Sequence, residues 1–173
     1  DFEVHQVDVD SAYLHAPLDT DVYMYVPKGV QIDHDRGDVL HLKRALYGLK
    51  QAGRQWSLHL NEKLKAHKWE QNPHEPCLFK RGLNSFILIY VDDILIVAPK
   101  LDEVNAIKRE LAELFPIKDL GAISEYLGVE VQRDRANKIF YLRQMGSIDS
   151  IIARATRATR VQSVPKSPYA DHL

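Results

Sequence analysis

One run of the sequence constrains the fold more than any other. Residues 86–98 are apolar at nearly every position except Asp92 and Asp93 near the centre. Two adjacent carboxylates are too costly to bury unpaired inside an apolar segment. Each half of the run is also far shorter than the roughly 20 residues that a membrane helix needs. The run therefore reads as a hairpin, two apolar strands joined by a very short turn that contains both aspartates. Strands this apolar predict a sheet covered on at least one face. Aspartate is a favoured turn residue, so the pair by itself has an ordinary structural explanation.

The remaining elements follow from period. In 51–69, Ala52, Trp56, Leu60 and Leu64 form one apolar stripe, with Arg54, Lys63 and Lys65 off it. In 101–115, Val104, Ile107, Leu111 and Leu114 do the same, with Asp102 and Glu103 at the first turn and Pro116 as the stop. Lys108 and Arg109 are placed on the solvent side of that helix. β-Branched and aromatic runs predict strands at 4–9, 22–26, 85–90, 94–98, 126–132 and 139–142, the last two joined by a turn at 134–137. Strands and helices interleave, so the class is α+β or α/β. A further helix over 147–160 has a thinner stripe, Ile148, Ile151, Ile152 and Ala155, and an Arg-Ala-Thr duplication; the tail from 162, with Pro165 and Pro168, reads as an extended linker.

Composition excludes several classes. With 173 residues, 45% hydrophobic and 27% charged, the chain can bury the core of one globular domain. Its one cysteine, Cys77, forms no internal disulfide or zinc cage, which fits a reducing, intracellular compartment. No basic-then-apolar leader follows Asp1, so no secretory signal is expected and the chain reads as a piece of a longer polypeptide. The phosphate-loop, dinucleotide-fold, zinc-protease and lipase motifs are all absent. Net charge is only -1, but residues 1–38 hold nine acids against two bases, while 43–68 hold seven bases against Glu62 alone. Residues 133–160 hold seven more bases against two acids. An acidic end followed by basic blocks suggests a polyanion held near carboxylates, against the plainer reading of solvated helix faces.

Asp8 lies near the end of the predicted strand 4–9. If that strand runs beside the hairpin, Asp8, Asp92 and Asp93 converge at one sheet edge, where they repel one another unless cations sit between them. Oxygen-only ligation suits Mg2+.

At this point the residues resemble a family. Gln6-Val7-Asp8-Val9-Asp10-Ser11-Ala12-Tyr13-Leu14 looks like motif A of reverse transcriptases, and Tyr90-Val91-Asp92-Asp93 looks like motif C. Leu46-Tyr47-Gly48-Leu49-Lys50-Gln51-Ala52-Gly53-Arg54-Gln55-Trp56 is similar to motif B of copia-type retrotransposons. Phe115-Pro116-Ile117-Lys118-Asp119-Leu120-Gly121 and Tyr126-Leu127-Gly128-Val129 resemble motifs D and E. The resemblance implies an α+β reverse-transcriptase palm, a central, mainly antiparallel sheet with helices on one face, with fingers and thumb largely missing. Residues 1–145 would be the palm with motifs A to E, and 146–173 a C-terminal helix and linker toward a thumb or connection region.

Residue by residue, the resemblance makes Asp8, Asp92 and the Val9 carbonyl ligands of two Mg2+ or Mn2+ ions, with Asp93 completing the acidic cluster. Lys118 would be a general acid, although a lysine at a helix end is also plain solvated charge. Ser11, Ala12, Tyr13, Tyr47 and Gly48 would bind the incoming dNTP, Tyr13 excluding a 2′-hydroxyl; a core tyrosine is the alternative. Lys50 and Arg54 would face nucleic acid, Trp56 the core, and Tyr126, Leu127 and Gly128 would grip the primer, unless that stretch is simply another strand. The implied partners are an RNA or DNA template with primer, dNTPs, and the integrase and RNase H regions of a Pol polyprotein, with no membrane. The implied place is inside the cell, in a cytoplasmic virus-like particle with nuclear entry open. The competing reading is a non-catalytic copia-derived remnant that binds nucleic acid or a protein partner.

Overall fold

β1 (Glu3–Val9) runs through the interior of a six-stranded antiparallel sheet and carries the chain into a 3-10 turn at Ala12–His15. Two long strands follow as a separate ribbon, β2 (Pro17–Tyr25) and β3 (Val39–Arg44), before the first helix, α1 (Ala52–Ala66). Next come β4 (Glu70–Gln71), β5 (Leu78–Arg81), β6 (Ser85–Tyr90), β7 (Asp93–Ala98), α2 (Leu101–Leu114) and β8 (Ile117–Ala122). The sheet order is β4-β5-β6-β7-β1-β8, which inserts β1 between the hairpin strand β7 and the edge strand β8. The computed structural model describes residues 1–30 and 39–159. The predicted tail from 162 lies outside the described residues.

Alternation along the strands separates two faces. Val7, Val9, Ile87, Ile94 and Ile96 are fully buried and join Trp56, Leu60 and Leu64 of α1 and Val104, Ile107 and Leu111 of α2 in one core. The apolar stripes read from the sequence are thus the faces of both helices laid on one side of the sheet. Gln6, Asp8 and Asp93 take the other face and stay half-buried. Pro116 ends α2, whose last turn is closed by the Phe115 N–H on the Leu111 carbonyl at 2.9 Å.

Polar groups also fix the packing. Trp69 follows α1 and is buried; its Nε1 donates to Glu110 Oε1 of α2 at 2.9 Å. Arg81 of β5 lies 4.3 Å above the Trp69 ring and places Nη1 2.9 and 2.7 Å from the two Glu110 oxygens. A charge-assisted contact of this kind stabilises more than a neutral hydrogen bond, and here it pins β5 to α2.

A second compact unit begins at Ser124, the first being Asp1–Ile123. It contains β9 (Glu125–Tyr126), β10 (Val129–Asp134), β11 (Ile139–Arg143) and α3 (Met145–Thr159), with the strands paired in the order β11-β10-β9. The single strand expected at 126–132 is two strands. Leu127 and Gly128 both adopt positive φ, 50° and 76°, and form a two-residue turn between the paired Tyr126 and Val129. The β10–β11 turn falls where expected, with Asp134 Oδ1 accepting the Asn137 N–H at 3.0 Å. Among the described residues no helix is long and apolar enough to cross a membrane. The architecture is α+β with a mostly antiparallel sheet.

Candidate active site

β1 positions Asp8 as the direct cross-strand partner of Asp93 on β7 and of Lys118 on β8. Directly opposed residues share a face, so two carboxylates and one ammonium occupy the side of the sheet away from the core. The ladder continues into the hairpin turn, where the Val9 N–H donates to the Asp92 carbonyl at 2.9 Å. Two expectations are corrected here. Asp93 belongs to β7 rather than the turn, because Tyr90 and Asp93 pair across the two-residue turn Val91–Asp92. Lys118 stands on a strand, not at a helix end, because Pro116 stops α2 and the β-branched Ile117 opens β8 against Val9.

The turn is unusual for its sequence. Val91, its first central residue, has φ 58°. That left-handed conformation is what this type of tight hairpin turn requires and what glycine normally supplies. In a β-branched residue it costs about 1–3 kcal/mol. It is held by α1: Trp56 Nε1 donates to the Val91 carbonyl at 2.6 Å.

Electrostatics reflect the crowding. Burial, and then the carboxylates of Asp92, Asp93 and Asp10, push the Asp8 carboxyl above its ordinary value, while Lys118 acts in the opposite direction. Gln6, two residues before Asp8 on the same face, donates from Nε2 to Asp93 Oδ1 at 2.9 Å.

After β1 the chain turns through Ser11, whose φ of 53° opens the 3-10 turn. The half-buried Tyr13 ring sits against Tyr47, with centroids 4.5 Å apart, while Ala12 is wholly buried. Burial, then Asp92, Tyr13 and Asp8, raise the Tyr47 hydroxyl pKa, so this tyrosine is within electrostatic reach of both the strand and the turn carboxylate. Gly48 turns the chain toward α1 with φ 100°, a conformation that L side chains rarely adopt.

The donor set is oxygen only. Among the described residues no three acidic, histidine or cysteine side chains stand together as a ready cage for an ion. Mg2+ asks for only one or two carboxylates, with water and substrate phosphate completing its shell. The residues therefore fit an open divalent-cation site and not a closed one.

The family model for reverse transcriptase (RNA-dependent DNA polymerase) matches residues 1–165. The chain belongs to the reverse transcriptase family. It is 37% identical, over its whole length, to the retrovirus-related Pol polyprotein from transposon TNT 1-94 of Nicotiana tabacum, of which it spans 13%. It is 34% identical over 95% of its length to the Pol polyprotein from transposon RE1 of Arabidopsis thaliana, of which it spans 11%. Over 91% of its length it is 30% identical to a putative transposon Ty5-1 protein of Saccharomyces cerevisiae, of which it spans half. These relatives fit the reverse transcriptase segment of a copia-type retrotransposon.

Within this reverse transcriptase fragment, Asp8, Val9, Asp92, Asp93, Lys118, Ser11, Tyr13, Tyr47 and Gly48 all lie in the first unit, and Tyr126, Leu127 and Gly128 in the second. Lys50 and Arg54 are exposed at the start of α1, and Arg54 Nη1 has an acidic partner, Asp19 Oδ2, at 3.3 Å. Lys108 is corrected outright: it is only 8% exposed, and its Nζ lies 2.6 Å from Asp119 Oδ1 and 2.9 Å from His5 Nδ1. A long side chain at the border of the apolar stripe reached across to the carboxylate of β8 instead of to water. Three contributors passed unnoticed in the sequence. For Gln6 the two-residue strand period was an available signal. The Trp56 hydrogen bond and the Lys108–Asp119 pair join elements far apart in the chain, and no local pattern marks them.

Proposed function

We propose that this segment is the palm of an RNA-directed DNA polymerase that transfers nucleotides from dNTPs to a primer 3′-hydroxyl. The observation that carries this reading is the register of β1: Asp8 is paired with Asp93, and the Val9 N–H with the Asp92 carbonyl, so the acidic residues of motifs A and C stand at one end of adjacent strands. Two divalent ions, Mg2+ or Mn2+, held by Asp8, the Val9 carbonyl and Asp92 with Asp93 beside them, would supply activation of the attacking hydroxyl and neutralisation of the leaving pyrophosphate. Asp8 and Asp92 orient the reacting oxygens. Tyr13, braced by Tyr47, closes the floor against a 2′-hydroxyl, and the backbone at Gly48 admits the nucleotide closely. Lys118, the cross-strand partner of Asp8 on the outer strand, would give a proton to departing pyrophosphate.

In this reading residues 1–145 act as the palm and 146–173 lead toward a thumb or connection region, with the turn at Leu127–Gly128 gripping the primer. Lys50 and Arg54 track the phosphates of an RNA or DNA template. Integrase and RNase H regions belong to the same parent polyprotein, and the work takes place in an intracellular virus-like particle. The test is primer extension by the Pol protein that contains this segment. Incorporation should depend on Mg2+ or Mn2+ and be abolished by Asp92→Asn with folding intact. Undiminished extension by Asp92→Asn would sink the proposal.

A further inference from the structure

The three carboxylates at this strand end are not equivalent. Asp8 and Asp93 are cross-strand partners, yet among the described residues no acidic trio is gathered tightly enough to hold an ion. One contact distinguishes Asp93 from its neighbours. Its Oδ1 accepts the Gln6 side-chain amide at 2.9 Å, in a partly buried setting across the β1–β7 pair. Gln6 pairs with Leu95, one diagonal step from Asp93, so the hydrogen bond draws the Asp93 carboxylate back along the strand and away from the turn that carries Asp92. A glutamine suits this position chemically. It donates to a carboxylate without adding charge, whereas an acid here would be a fourth negative group and a lysine would neutralise the site.

We propose that Gln6 is a positioning residue that tethers Asp93 and so leaves Asp8 and Asp92 as the pair presented to divalent cations. The inference rests on the two-ion reading above. It assigns Asp93 to shaping the site instead of ligating there, and it makes Gln6 the residue that limits the number of carboxylates an ion meets. Freed from the tether, Asp93 would swing toward the ion and add a charged ligand, which tightens binding of a hard cation.

The experiment is Mn2+ titration of this chain, followed by the loss of the free-ion paramagnetic resonance signal. Binding should disappear with Asp92→Asn and survive Asp93→Asn. Gln6→Leu should tighten Mn2+ at least about threefold through the added carboxylate, and the gain should vanish when Asp93→Asn is combined with it. Gln6→Asn, which keeps an amide but is one methylene too short, should reproduce the gain, so the test does not depend on the leucine variant folding. Weaker or unchanged binding in both Gln6 variants overturns the proposal, as does the same gain without Asp93. If the parent chain binds Mn2+ no better than Asp92→Asn does, the carboxylate reading falls and this inference falls with it.

Discussion

Lys108 Nζ of α2 and Asp119 Oδ1 of β8 are 2.6 Å apart, and the same lysine donates to His5 Nδ1 of β1. This ties the outer strand to the helix on the face opposite Lys118, its immediate neighbour. Burial alone would raise the Asp119 carboxyl, but the Lys108 hydrogen bond, the Gly121 N–H and the Lys108 charge outweigh it and hold the group below its ordinary value. Lys108→Met should therefore destabilise the chain by about 1–2 kcal/mol, the scale of a hydrogen bond to a charged group that stays half in water. Arg109→Gln, on the exposed side of the same helix, should change stability by no more than about 0.5 kcal/mol. Denaturant midpoints compare the two. The sign with pH is set by the depressed carboxyl: the contribution is present above the unfolded pKa of Asp119 and lost as pH falls through its lower folded value, so the gap between parent and Lys108→Met should close in strong acid.

Asp8 behaves in the opposite sense. Its folded pKa is raised, so the folded state holds the proton more tightly, and stability falls as pH rises from the unfolded to the folded value. Above that window the charged Asp8 opposes folding. Asp8→Asn should raise the melting temperature at pH 7 without added metal, and the advantage should shrink in acid below the unfolded pKa, near 3.8. A variant that melts at or below the parent at pH 7 would contradict the crowding of carboxylates at this strand end.

Binding to nucleic acid can be examined on the chain itself. If Lys50 and Arg54 contact phosphate, affinity for an RNA/DNA hybrid should weaken with salt, and neutralising both should reduce the log-log slope by about one per lost contact, whatever the sequence. Arg109 serves as the control, since Lys108 is occupied inside the fold. Asp19→Asn adds a second arm. It removes the acidic partner of Arg54 and should strengthen binding; unchanged binding would mean that Arg54 is not on the path of the strand.

The bond from Trp56 to the Val91 carbonyl makes a prediction by double-mutant cycle. Trp56→Phe keeps a large ring but loses the N–H, and should cost about 1–3 kcal/mol from the unpaired carbonyl and the smaller ring. Val91→Gly removes the left-handed strain. If the tryptophan restrains that strained turn, Trp56→Phe should cost less in the Val91→Gly background. Equal costs in the two backgrounds would show that the hydrogen bond and the turn are independent.

Much of the site was legible in the sequence because it is built on local signals. The apolar run broken by Asp92 and Asp93 is a hairpin, the apolar stripes at helical spacing face the core from α1 and α2, and the ordered motifs point to the family whose model matches the chain. What escaped depends on partners distant in the chain. β8 has few of the β-branched and aromatic residues that mark strands, and forms because β1 offers a free edge. The break at Leu127 was hidden because leucine rarely takes the left-handed conformation that it shows here. Lys108 looked like solvated charge because the helical period locates Cα and not the end of a long, flexible side chain.

The bond between Trp56 and Val91 also makes the turn depend on the helix. The β6–β7 hairpin joins residues close in sequence and can form early. Its turn has no reason to hold valine in a left-handed conformation until α1, which is 35 residues away at Trp56, has docked on the sheet. A hairpin formed ahead of that docking would carry the right acids on a relaxed turn. The turn that carries Asp92 is therefore completed by a helix outside the hairpin, and the geometry of the site depends on a contact that neither strand of the hairpin supplies.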